Sequence, residues 1–265
     1  MPDAPIVTGI VREAEILVIT NRKGGTGKTT TSVNLAAEFA ATGQRVLLID
    51  LDTQSHCAVG LDVSVRRGEA TVHDLLLDDT LRLRPVIRQT QWPGLDLVPA
   101  DPLFDHGAGH AEQTRLARAL REEGLLQAYD LILIDTPPSL DMLLMNALVA
   151  ARRVLVPFVP HALSNEGIKS LARVLFKVSA GANPDLRLLG FLPLMVDRRI
   201  GHHRGVAEGV SHQFGAQRML SGVRGDIKLV EAFAHRMPVR YHAPKSRGAE
   251  DYAQAAREVA ALLAS

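Results

Sequence analysis

The sequence is poorest in cysteine: Cys57 stands alone among 265 residues. One thiol excludes an internal disulfide and cannot by itself hold a structural zinc or an iron–sulfur cluster. A reducing compartment suits it. Long apolar runs are also missing, since none approaches the ~20 residues that cross a bilayer. The start, Met1 to Glu15, carries acids and two prolines instead of a signal peptide. A soluble, cytoplasmic protein is expected. Net charge is close to absent, at 30 basic against 29 acidic residues, so whole-chain electrostatics point to neither nucleic acid nor membrane. Their distribution says more. Arg198 to Gly248 holds ten basic and three acidic residues, a local excess of +7, while the rest of the chain carries −6. That segment alone has the polarity of a polyanion contact.

What is present is apolar substance, 46% of residues, enough for one substantial core. Short β-rich runs alternate with longer helical patterns, which signals parallel strands joined by crossover helices. Strands are expected near Ile16 to Thr20, Val46 to Asp50, Leu95 to Val98, Leu131 to Asp135, Val154 to Phe158 and Leu186 to Leu194. The clearest helices are Lys28 to Thr42, closed by Gly43, and Gly248 to Leu263. The fold class is α/β: a doubly wound, mostly parallel sheet flanked by helices. Residues 1–14 read as a flexible extension and 15–265 as a single domain. Asp52 to Thr71 and Gly107 to His110 read as mobile surfaces.

The chemistry begins at Lys23-Gly24-Gly25-Thr26-Gly27-Lys28-Thr29-Thr30, directly after the first strand and opening the first helix. Glycines let successive N–H groups turn inward as an anion nest, the helix start adds partial positive charge, and Lys28 neutralises the β- and γ-phosphates of ATP. The Thr29 hydroxyl then sits where it can coordinate Mg²⁺. Asp135 ends an apolar strand at the carboxyl edge of the sheet and is assigned to the same Mg²⁺. Asp50 and Asp52 end the second strand, and the two-residue period points both carboxylates one way, so one can support the metal while the other orients water. The Thr136 N–H, in a loop stiffened by Pro137 and Pro138, is a candidate γ-phosphate sensor.

The second lysine at the loop's start, Lys23, together with Leu48-Ile49-Asp50-Leu51-Asp52-Thr53-Gln54 and Ile134-Asp135-Thr136-Pro137-Pro138, resembles the ParA/MinD family of deviant-Walker P-loop ATPases from about Glu15 onward. The resemblance implies that Lys23 reaches across an ATP-bound homodimer to the partner's phosphates, that Gly24 lies at that interface, and that Asp52 orients the attacking water. Thr53 stands where relatives usually carry proline and Arg22 where they usually carry glutamine. MinD-like relatives end in a basic amphipathic helix that lies on membrane. Glu250 to Leu263 lacks such a face and reads as a helix packed on the sheet. No membrane partner is expected.

ParA-like members resemble the chain further through Gly225 to Ala232 and Pro244 to Glu250. That implies non-specific DNA binding by the ATP-state dimer, a nucleoid-associated location and a ParB-like or cargo-adaptor partner that stimulates hydrolysis. Candidate phosphate contacts are Arg199, Arg224, Lys228, Arg236, Arg240, Lys245 and Arg247. The alternatives are a MinD-like spatial regulator and a metabolic P-loop ligase. His202, His203 and the other C-terminal histidines read as surface residues.

Overall fold

In a computed structural model, the described residues are 13–104, 112–161, 164–197 and 200–265. The strands are β1 (Glu15–Ile19), β2 (Val46–Asp50), β3 (Arg88–Gln89), β4 (Leu95–Val98), β5 (Leu131–Asp135), β6 (Arg153–Phe158), β7 (Arg187–Val196) and β8 (Val223–Arg224). They form one sheet in the order β3-β4-β2-β5-β1-β6-β7-β8, parallel throughout except for the antiparallel edge pair β3–β4. The central strands are apolar on both faces, as in Leu131-Ile132-Leu133-Ile134, because helices cover both sides of a parallel sheet.

The helices are α1 (Lys28–Ala41), α2 (His56–Gly60), α3 (Val72–Leu77), α4 (Arg115–Glu122), α5 (Leu125–Ala128), α6 (Met142–Ala150), α7 (Ser164–Ser179), α8 (Gly201–Phe214), α9 (Ile227–Ala234), α10 (Val239–His242) and α11 (Arg247–Ala264). One core layer joins one sheet face to α3 through α8. The other joins the opposite face to α1, α2 and α9 through α11. The last helix, α11, buries Gly248, Ala249, Tyr252, Ala255, Ala256 and Val259 and packs along α1 and against β7 and β8. That agrees with a packed terminal helix. No helix among the described residues is long and apolar enough to cross a membrane.

The described residues add to the sequence reading at the chain's start, after β2 and at the sheet's edges. The expected extension, residues 1–14, lies outside the described residues up to 12, but Ala14 is buried and its N–H donates to the Leu126 carbonyl at 2.7 Å. The segment Asp52 to Thr71 is no bare loop, for it contains α2, whose Cys57, Ala58 and Gly60 are buried. The other expected mobile stretch, Gly107 to His110, lies outside the described residues. The short edge strands β3 and β8 had no pattern to reveal them.

Register assembles the site. Ile19 of β1 and Asp50 of β2 both pair with Asp135 of β5. The turn after β1 and two aspartates are thereby delivered to one point at the carboxyl edge of the sheet, where open α/β folds bind ligands.

Candidate functional site

The turn from Thr20 to Gly27 links β1 to α1. Asn21 braces its start: its Nδ2 donates to the Pro157 carbonyl at 2.8 Å, and its Oδ1 accepts the Lys23 N–H at 3.0 Å. Gly27, the residue before α1, has φ 76°, and a Cβ there would meet Leu194 Cδ1 at 2.6 Å. Only glycine fits both the backbone and the neighbour. Gly25 also has positive φ, Thr26 is buried with its hydroxyl donating to the Lys23 carbonyl, and Thr30 opens toward an adjoining cavity. The first turn of α1 carries no acid, so nothing on it competes with an anion for the free N–H groups.

Lys28 and Thr29 meet Asp135 as expected. Thr29 Oγ1 donates to Asp135 Oδ2 at 2.7 Å, and Ser32, one turn further along α1, donates to Asp135 Oδ1 at 2.8 Å. Ser32 was not singled out from sequence, although its place four residues after Lys28 puts it on the same helix face. Asp135 is fully buried, and burial pushes its pKa up to about 6 against the pull of these two hydroxyls and of Lys28. Lys28 is itself nearly buried. Burial lowers its pKa, while Asp135 and Asp52 act to raise it.

The two aspartates of the second strand play unlike structural parts. Asp50 is fully buried and accepts two backbone N–H groups, from Asp52 to Oδ1 and from Cys57 to Oδ2, each at 3.0 Å. It therefore builds the loop that follows. Burial, and then the Asp135 charge, hold its pKa well above the carboxylate range. The strand ends at Asp50, so the two-residue alternation invoked for Asp52 does not reach it. Asp52 sits in the loop, half-buried, and its field acts on both Lys28 and Asp135.

Cys57 adds a feature the sequence reading left out. Its Sγ lies 3.6 Å from Asp135 Oδ2, and burial followed by the two aspartates drives the thiol pKa far up. A hard cation suits the oxygens here. Thr29 and Asp135 offer oxygen donors at one point, and the raised pKa of Asp135 marks a carboxylate short of compensating charge, which a Mg²⁺ that keeps several waters would supply. Thr136 is fully buried, and its hydroxyl donates to the Ile19 carbonyl at 3.0 Å, tying the loop after β5 to β1.

Lys23 and Gly24 are exposed, as are Arg22 and Gly25, whereas Thr26 and Lys28 are buried. The Lys23 side chain makes no ion pair among the described residues, whereas Lys28 points into the site. Arg22 beside it donates from Nη1 to Ser170 Oγ of α7. Next to Gly27 and Thr30 opens an apolar cavity of about 480 Å³, bordered by Leu194, Ile227, Val230 and Tyr252. Its size and lining suit a planar base, and no sequence motif marked it.

The basic residues near the C-terminus divide into two groups. Arg224 binds Asp251 through Nε at 2.9 Å and Nη2 at 2.8 Å, Lys228 pairs with Glu231 at 2.6 Å, Arg236 with Asp62 at 3.4 Å, and Arg240 with Glu38. Lys245 and Arg247 are exposed and form no ion pair among the described residues. Arg199 lies outside the described residues. The local excess of +7 counted along the chain is thus partly cancelled by acids from other segments.

Comparison with known proteins agrees with this geometry. The family described as "AAA domain" matches residues 14–188. The chain is 38% identical over 252 residues to the sporulation initiation inhibitor protein Soj of Bacillus subtilis, covering 93% of this chain and 98% of that one. It is 40% identical over 253 residues to the chromosome-partitioning ATPase Soj of Thermus thermophilus, covering 93% and 96%. Among solved structures, a cobyrinic acid a,c-diamide synthase from Mycobacterium smegmatis with bound ATP analog and magnesium superimposes with a TM-score of 0.77 at 30% identity, covering 92% and 93%. With a phosphate-binding turn, a buried metal-type carboxylate and relatives that match it nearly end to end, the chain belongs to the ParA/Soj family of P-loop ATPases.

Proposed function

We propose that this chain is a partitioning ATPase that closes as a homodimer around ATP, holds DNA non-specifically in that state, and lets go after hydrolysis stimulated by a ParB-like or cargo-adaptor partner. The observation that carries this reading is the contrast between the two lysines of one loop. Lys28 is buried against Asp135, and Lys23 is exposed at the loop's entrance with no acid among the described residues to hold it. The Lys23 side chain makes no ion pair among the described residues of one subunit, while across a dimer it can reach a second nucleotide. The chromosome-partitioning relative at 40% identity supports the cargo role, which extends to a plasmid, a chromosome or a protein organelle.

In the cycle, Thr29 and Asp135, with Asp50 behind them, would hold a Mg²⁺, which would supply charge neutralisation of the phosphates. Lys28 and the turn's N–H groups stabilise charge on the leaving diphosphate, Lys23 of the second subunit adds charge at the γ-phosphate, and Asp52 aligns the attacking water. The base occupies the cavity beside Gly27 and Thr30. DNA is held first by Lys245 and Arg247. Arg224, Lys228, Arg236 and Arg240 contribute only where a phosphate replaces the acid each now binds, and Arg199 completes the set. A nucleoid-associated, cytoplasmic protein follows from this reading.

Co-sedimentation with a non-specific duplex, in ATP and in ADP across a salt series, tests it. Binding should require ATP, and log K should fall with log salt at a slope of about −3.6 or steeper, counting Lys245 and Arg247 from each subunit. Binding indifferent to nucleotide and salt removes the switch. A ligase reading is raised by the 30% identical synthase structure; it predicts instead an ATPase that needs a carboxylate or an amine. Co-sedimentation with liposomes in ATP would favour a MinD-like cycle.

A further inference from the structure

Leu51, the residue between the two aspartates, is fully buried and held at both ends of its backbone. Its N–H donates to the Asp135 carbonyl at 2.9 Å, and its carbonyl lies 3.3 Å from Nε2 of His73 on α3. The first contact comes from the sheet's own assembly. The second comes from a side chain 22 residues away.

His73 is 1% exposed and uses both ring nitrogens. Nδ1 accepts the Asp101 N–H at 2.9 Å. A backbone N–H can only donate, so Nδ1 is the bare nitrogen, and Nε2 carries the proton and donates to Leu51. The partners thereby assign one neutral tautomer. The ring has little freedom to leave. Phe104 stacks on it with centroids 4.3 Å apart and planes at 20°, Asp74 and Thr71 form a capping box that fixes the start of α3, and Val72 N–H donates to the Pro99 carbonyl at 3.0 Å. Ser55 closes the far side of the loop by donating to the Ala100 carbonyl at 3.3 Å.

We propose that His73 is a positioning residue for ATP hydrolysis: by holding the Leu51 carbonyl with its Nε2–H, it keeps the Asp52 carboxylate beside Lys28 and Asp135. The inference rests on the assignment of Asp52 as the water-orienting group. Asp52 begins one peptide bond after the held carbonyl, and its own N–H is already spent on Asp50 Oδ1. Within the turn, Asp52 Oδ1 accepts the Gln54 N–H at 3.1 Å and the Asp52 carbonyl accepts the Ser55 N–H at 2.8 Å; releasing Leu51 removes the contact that ties the start of this turn to α3. An error of about 1 Å in such a group costs up to about a hundredfold in rate.

Two amide substitutions separate the ring nitrogens. In His73→Gln the amide nitrogen falls near the place of Nε2 and keeps a donor for Leu51; in His73→Asn the amide falls near Nδ1 and serves only Asp101. The expected result is turnover within about threefold of the parent for His73→Gln and about tenfold or more below it for His73→Asn, with ATP affinity unchanged in both. A merely structural histidine would make the two variants lose rate together, in step with their melting temperatures, and that result overturns the proposal. So does a rate loss that tracks ATP affinity, or no loss in either variant. Asp52→Ala is measured in parallel. If it hydrolyses normally, the water-orienting assignment fails and takes this inference with it; if it stalls while His73→Asn turns over normally, only the role of His73 falls.

Discussion

Asp135 is the residue on which the largest number of site contacts converge, and its protonation follows from where it sits. The ordinary carboxylate value is 3.8, and burial lifts it to about 6 in the folded chain. A group whose folded pKa is raised in this way binds its proton more tightly when folded. Stability therefore falls as pH rises from 3.8 toward 6 and stays lowered above it. Asp135→Asn removes that charge, keeps an oxygen acceptor for one of the Thr29 and Ser32 hydroxyls, and can donate from Nδ2 to the other. At pH 7.5 the nucleotide-free variant should melt at or above the parent's temperature, and this advantage should shrink at pH 4.5, where the parent's carboxyl is largely neutral. The same variant should lose the thermal shift produced by ATP with Mg²⁺, which for saturating ligand at a hundred times its Kd is worth about 2.7 kcal/mol. A variant destabilised at pH 7.5 but not at pH 4.5 would show that the buried charge is already compensated within the chain.

Among the elements, α1 and α11 form the pair that carries the phosphate-binding turn. Tyr252 of α11 is 1% exposed, and its hydroxyl lies 3.3 Å from Thr31 Oγ1, three residues after Lys28. Tyr252→Ala should cost about 3–5 kcal/mol, the usual loss for a large buried ring, read as a lower denaturation midpoint with an unchanged m-value. Tyr252→Phe should cost about 1 kcal/mol, since it forfeits one hydrogen bond and no volume. Equal effects from the two would mean that the ring packs loosely. Sequence pattern found β1, β2, β4, β5 and α1 because each strand is a mainly apolar run and the helix ends at a glycine; Gly43, with φ 89°, donates its N–H to the Ala40 carbonyl as a helix stop does. It missed β3 and β8, two residues each, which hold too few positions to show a period. It missed α2 for a similar reason. The Lys28, Thr29 and Asp135 cluster was legible because strand ends and helix starts are local features. The His73 to Leu51 contact, the acids that neutralise Arg224 and Arg236, and the base cavity were not, because each joins segments whose spacing along the chain carries no signal.

At the scale of the whole molecule, the phosphate-binding turn contains two glycines that one subunit treats in opposite ways. Gly27 has φ 76° and a neighbour at 2.6 Å, so a side chain there strains the backbone and displaces Leu194 within the single chain. Gly24 is exposed, its φ lies outside the left-handed region, and a Cβ built on it meets nothing within 4 Å. Nothing among the described residues explains a glycine at that position. An approaching second subunit does, because a flat turn lets Lys23 and the neighbouring backbone come close to another nucleotide. Gly24→Val should therefore fold with the parent's melting temperature and bind ATP with the parent's affinity, as Lys28, Thr29 and Asp135 are undisturbed. Its mass by light scattering in ATP should remain that of one chain while the parent's doubles. DNA binding should fall with it, since a monomer offers half the phosphate contacts and loses the gain from linking two sets. A Gly24→Val protein that still doubles its mass in ATP would place the contact between subunits away from this turn, and Lys23 would then have no second nucleotide to reach.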